Sequence, residues 1–120
     1  MSWNKKIGDK GETVAVEYLQ RLGYIVLETN WRHSHKEIDI IALFENLIIF
    51  IEVKTRTSNS FGKPYEAVSE QKQEFLIDAA EYYIEQNDIL QETRFDIISI
   101  EKTGNTHHIE HIKDAFHAEL

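Results

Sequence analysis

Residues 37–55 read Glu-Ile-Asp-Ile-Ile-Ala-Leu-Phe-Glu-Asn-Leu-Ile-Ile-Phe-Ile-Glu-Val-Lys-Thr. Two apolar runs, Glu37–Phe44 and Leu47–Thr55, flank the polar pair Glu45-Asn46. Runs of this length, rich in β-branched residues and separated by two polar positions, predict a tight β-hairpin. With Glu45-Asn46 as the turn, Phe44 faces Leu47, Asp39 faces Glu52 and Glu37 faces Lys54. Strand side chains alternate between faces, so Asp39, Glu52 and Lys54 share one face. The other face, Ile38, Ile40, Ala42, Phe44, Leu47, Ile49, Ile51 and Val53, is wholly apolar and reads as core. Like charges directly opposed on a sheet repel unless a cation or a proton relieves them.

The remaining chain supplies the elements around that hairpin. Helical spacing of Ala15, Tyr18, Leu19 and Leu22 predicts a helix over 4–22 with Gly23 as its stop. Residues 24–30 alternate and favour a strand, and 58–64 read as a loop. A long amphipathic helix is predicted over 66–87, with Val68, Phe75, Leu76, Ala79, Tyr83 and Ile84 on its buried stripe. Residues 94–101 and 107–112 form a second hairpin about Gly104-Asn105, followed by a short helical turn near Ala115-Phe116. The order α-β-β-β-α-β-β implies an α/β fold, a mixed five-stranded sheet flanked by helices. At 120 residues, with neither repeats nor a linker, the chain reads as one domain, 1–120.

Composition bounds the function. The absence of cysteine excludes disulfides, thiolate metal sites and a cysteine nucleophile. No secretory leader is visible, and the apolar run 40–51 is too short to span a bilayer, so the expected compartment is the cytoplasm, with no membrane partner. The net charge of −8 argues against a nucleic-acid partner, but its distribution does not: residues 1–72 carry ten Lys/Arg and ten Asp/Glu, and the whole excess lies in 73–120, with three against eleven.

Asp39 and Glu52, with the backbone carbonyl of Val53 between the paired side chains of β-face residues, offer hard oxygen ligands to Mg²⁺ or Mn²⁺. Such an ion activates water and neutralises charge on a phosphoryl group under attack. Lys54 could orient the water. The plainer reading is a salt-bridge ladder of Asp39 and Glu37 with Lys54. Glu12 lies on the buried stripe of the first helix behind Gly8 and Gly11, which suggests a close approach and a third carboxylate reaching the ion through water; a helix-N-terminal glutamate favoured by the macrodipole is the alternative. Lys72, between Val68 and Leu76 on the second helix, either snorkels or reaches a phosphate. Arg32, Lys36, Arg56 and Lys63 flank the site as candidate phosphate contacts or as solvated surface charges. His33-Ser34-His35 and His107-His108 with His111 have spacings a metal could use, but without cysteines a dedicated zinc site is disfavoured.

The ordered set Gly11-Glu12, Gly23-Tyr24, Asn30-x-Arg32, Glu37-Ile38-Asp39, Glu52-Val53-Lys54, Phe61-Gly62-Lys63-Pro64, Lys72, Arg94-Phe95-Asp96-Ile97-Ile98 and His111-Ile112 resembles the YraN-like family of uncharacterised bacterial proteins. That family is similar to the restriction-endonuclease-like PD-(D/E)xK nuclease superfamily and, within it, to archaeal Holliday-junction resolvases. The resemblance implies a three-layer fold, a Mg²⁺- or Mn²⁺-dependent DNA endonuclease acting on branched or structured DNA, and catalytic roles for Glu12, Asp39, Glu52 and Lys54. Ile38 stands where the superfamily dipeptide has proline. A homodimer, and a non-catalytic module binding nucleic acid or a protein partner in DNA metabolism, are the accompanying expectations.

Overall fold

The computed structural model describes residues 3–57 and 68–118, with side chains over 11–56 and 68–118. Helix α1 (Trp3–Arg21) leads into strands β1 (Ile25–His33), β2 (Lys36–Phe44) and β3 (Leu47–Thr57), then α2 (Glu70–Gln86), β4 (Glu92–Thr103) and β5 (Thr106–Phe116). The five strands form one sheet in the order β1-β2-β3-β4-β5. All neighbours are antiparallel except β3 and β4, which run parallel across the α2 crossover.

Local chemistry explains the boundaries. α1 closes when the Gly23 N–H donates to the Gln20 carbonyl and the Tyr24 N–H to Leu19, a Schellman closure that needs the positive φ of 95° at Gly23. α2 begins at Glu70, later than the apolar stripe predicted, because the Ser69 hydroxyl accepts from the Lys72 N–H and caps it. Val68 is buried ahead of the cap. The expected helical turn near Ala115-Phe116 is absent. β5 instead bulges at Asp114 (φ 53°) and returns to pair Phe116 with Phe95.

Each sheet face has its own core. On one, Ala15 and Leu19 of α1 pack on Ile40, Ile49, Ile51, Ile98 and Ile100. On the other, Ile41, Ile48, Phe50, Ile97, Leu76 and Ala79 pack beneath α2. Both faces being covered explains why β2 and β3 read as nearly unbroken apolar runs. Ile38, predicted to join Ile40, belongs instead to the α2 core, so the alternation breaks at Asp39. Phe75, predicted on the buried stripe, is 43% exposed, because it faces the β1–β2 hairpin and not the sheet. Gly11 lies so close to β3 that a Cβ there would collide with the Thr55 hydroxyl, the close approach its helical position suggested.

Candidate metal centre and basic cleft

β2 and β3 pair from Phe44↔Leu47 to Ile40↔Ile51, the predicted register. The ladder ends there, one step before Asp39 and Glu52. The Val53 N–H, which a continued ladder would offer to the β2 backbone, donates to Asp39 Oδ2 at 2.8 Å. A side chain has replaced a backbone acceptor, and it fixes the Asp39 carboxyl over β3.

Glu52 lies on the α2 face, 4% exposed. Its Oε2 stands 3.4 Å from Lys72 Nζ but makes no hydrogen bond, so it is buried with a charge partner and an unused lone pair. Burial, together with the hydrogen bond and negative charge of Glu52, pushes the Asp39 carboxyl up from 3.8 to about 8, against the opposing pull of the Val53 N–H and Lys72. Asp39 therefore holds a proton at neutral pH. An ionised pair here needs a cation beyond Lys72, and two hard oxygen donors with a free lone pair suit a divalent ion that keeps most of its waters.

The other expected residues fall as follows. Lys54 is half-buried, paired in register with Ser99 on β4. It forms no ion pair with another described residue. Glu37 does not face it in a ladder: its carboxylate lies 3.4 Å from Arg32 Nε, because the strands part before that position. The salt-bridge ladder with Lys54 is thus replaced by Arg32–Glu37 and Lys72–Glu52. Glu12 lines a groove between α1 and β1 with Val16, Thr29 and Asn30, and forms no three-acid metal-ligand group with Asp39 and Glu52 among the described residues. Among the described residues, no group of three or more His, Asp or Glu converges on one point where a metal could sit. Lys63 lies outside the described residues, and Arg56 is half-buried on the last turns of β3.

Three of the five candidate phosphate contacts do converge. Arg32, Lys36 and Lys72, with His35, Glu37 and Phe75, line a cleft of about 300 Å³ beside Glu52. Lys36 reaches Asp78 at 3.3 Å and lies over the Phe75 ring at 5.8 Å.

A second polar cluster had no counterpart in the sequence reading. Asp96, 0% exposed on β4, accepts from Arg94 at 2.8 and 2.9 Å and from the Asp114 N–H at 3.0 Å. It also lies 2.7 Å from His111 Nε2, and His111 Nδ1 is 3.1 Å from the Tyr18 hydroxyl. Burial alone would raise the Asp96 carboxyl, but His111, Arg94 and the Asp114 N–H together hold it below its ordinary value. The cluster ties α1, β4 and the β5 bulge together. The available signal was a lone aspartate inside an apolar strand, since such a residue is almost never buried without partners. Of the histidines in the two groups, His111 is committed here and His33 stacks on Tyr82 with ring centroids 3.4 Å apart.

The model of the uncharacterised protein family UPF0102 matches residues 11–100. UPF0102 protein FP2501 of Flavobacterium psychrophilum is 44% identical over 117 residues, covering 98% of both chains. UPF0102 protein BF0634 of Bacteroides fragilis is 44% identical over 121 residues, covering 100% of this chain and 99% of its own. UPF0102 protein CPE1705 of Clostridium perfringens is also 44% identical, over 117 residues and 95% of this chain. No helix among the described residues is long and apolar enough to cross a membrane.

Proposed function

The chain belongs to the uncharacterised protein family UPF0102, and we propose that it is a Mg²⁺- or Mn²⁺-dependent DNA endonuclease of the restriction-endonuclease-like kind. The observation that carries the proposal is the buried Glu52 Oε2, left without a hydrogen bond beside a carboxyl held near pH 8. A buried carboxylate oxygen without a hydrogen bond costs stability and is tolerated where a ligand completes it. The basic cleft opening next to it, on a chain of net charge −8, supports a phosphate-bearing substrate.

Asp39 and Glu52 would hold the ion, with the Val53 carbonyl as a further donor, and when bound the ion would supply Lewis-acid charge and an acidified water. The Val53 N–H holds the Asp39 carboxyl in place. Lys54, two residues after Glu52 on β3, orients the attacking water or meets the charge on the phosphoryl oxygens. Lys72 balances Glu52 in the metal-free protein and is free to turn to the phosphate when an ion takes over that charge. Glu12, which lines the groove between α1 and β1, is not assigned a ligand role here.

The test is cleavage of single-stranded, duplex and four-way-junction DNA with Mg²⁺ or Mn²⁺, beside Asp39→Asn and Glu52→Gln. Cleavage by the wild type that both variants lose by 100-fold or more supports the reading. Equal behaviour of all three proteins on every substrate refutes it. Binding without cleavage would assign the chain to a non-catalytic nucleic-acid-binding module.

A further inference from the structure

The cleft lined by Arg32, His35, Lys36, Glu37, Lys72 and Phe75 has a chemistry more specific than attraction to a polyanion. Its three permanent cations outnumber its one carboxylate. Each cation already meets a carboxylate, but only loosely, at 3.3 to 3.4 Å. Two of those pairs, Arg32–Glu37 and Lys36–Asp78, are solvent-accessible and worth little, so a phosphate can displace them. Arg and Lys together bring eleven N–H donors, most of them still available.

Phe75 is the unusual component. A large apolar ring is 43% exposed among cations, where a lysine or glutamate would serve solubility better. Bases stack on exposed aromatic faces irrespective of sequence, but only when they have left the duplex stack. The cleft's volume of about 300 Å³ is on the scale of one nucleotide.

We propose that this cleft binds a single unpaired nucleotide, its base on Phe75 and its phosphates on Arg32, Lys36 and Lys72, which makes the substrate DNA with a single-stranded segment at the site. The inference rests on the phosphodiesterase reading for its location, and its test is independent of cleavage.

Binding of a labelled single-stranded 12-mer and of the matching blunt duplex is measured by fluorescence anisotropy in low salt with EDTA. The single strand should bind at least about tenfold more tightly. Phe75→Ala should cost about tenfold on the single strand and leave the duplex unchanged, with an unaltered melting temperature showing that it folds. Phe75→Trp should retain affinity and show quenching by the single strand beyond that of the wild type. Lys36→Ala should weaken both DNA forms alike. Equal affinity for the two forms, or no loss in Phe75→Ala, overturns the proposal even if the protein cuts DNA. Conversely, stacking in the absence of any cleavage leaves this proposal standing and removes only the endonuclease.

Discussion

Asp39→Asn is expected to stabilise the metal-free protein, a result opposite to that of most substitutions at a half-buried, hydrogen-bonded position. The folded-state value of Asp39, about 8, lies above its ordinary 3.8. Between those values the folded protein keeps a proton that the unfolded chain has lost. Stability therefore falls as pH rises from about 4 to about 8, at up to about 1.4 kcal/mol per pH unit, and is level above. For an isolated group the penalty at pH 7 would be about 4 kcal/mol. The asparagine amide also loses solvation on burial, so roughly half, ~2 kcal/mol, is expected to return in the variant. Asparagine still offers an oxygen to the Val53 N–H, and it carries no charge to repel Glu52. For a chain of this length the gain corresponds to about 8 °C in melting temperature. The assay is thermal unfolding by circular dichroism from pH 5 to 9 in EDTA, read as the difference between variant and wild type so that other groups cancel. The difference should grow between pH 5 and 8 and then level off. A variant that melts lower than wild type at pH 7 to 8, or a difference that is flat across the range, refutes the protonated Asp39. Added Mn²⁺ should raise the wild type and leave the variant where it is.

Lys72→Met removes the cation facing Glu52; because that lysine is 39% exposed, the loss at pH 8 should be limited to about 1 kcal/mol by denaturant titration. Lys72 also pulls the Asp39 carboxyl down, so in the variant the Asp39 carboxyl carbon should titrate at a higher pH in NMR spectra. Gly11→Ala should cost about 1–3 kcal/mol through its collision with Thr55, and Thr55→Ala in the same chain should recover much of that, whereas simple additivity would rule out the contact. Asp96→Asn should cost about 3 kcal/mol at pH 7 by leaving Arg94 poorly paired. Since the Asp96 carboxyl is held below 3.8, its contribution is present above that pH and lost as pH falls through the folded value. Wild type and variant stabilities should therefore converge in acid, and a constant gap down to pH 2 would contradict it.

The register of the central hairpin was legible because a two-residue turn leaves one pairing and both strands are long. Where that pairing stops was not, because a side chain, Asp39, takes over the duty of a backbone carbonyl, and periodicity carries no record of such an exchange. The same event turns Ile38 to the α2 core and gives Glu37 to Arg32. Phe75 was misplaced for a different reason. An apolar residue at helical spacing looks the same whether it meets the sheet or the neighbouring hairpin, and only the arrangement of β1–β2 against α2 decides. The conjunction of Asp39 with Glu52 followed from alternation, whereas the reach of Lys72 to Glu52 depends on a crossover whose geometry no local pattern encodes. Asp96 illustrates the converse: its partners Arg94 and His111 were part of the recognised motif set, but pairing them required the sheet order.

The residues assigned to the site and cleft all fall between Arg32 and Phe75, while the Tyr18–His111 contact joins positions 93 apart in sequence. These two distances divide the folding of the molecule. A β-hairpin closes within microseconds and a neighbouring helix can dock on it soon after, so the carboxylate pair can assemble from one short run of chain. The bolt through Asp96 must wait until both ends of the protein have been brought together, and the loop entropy of that closure makes it a late event. Interactions absent from the folding transition state act on the unfolding rate. Damage at Asp96 or His111 should therefore shorten the lifetime of the native protein while scarcely changing how fast it forms. In hydrogen exchange, β5 should open while β2 and β3 stay protected, with the candidate site still intact inside the partly opened molecule.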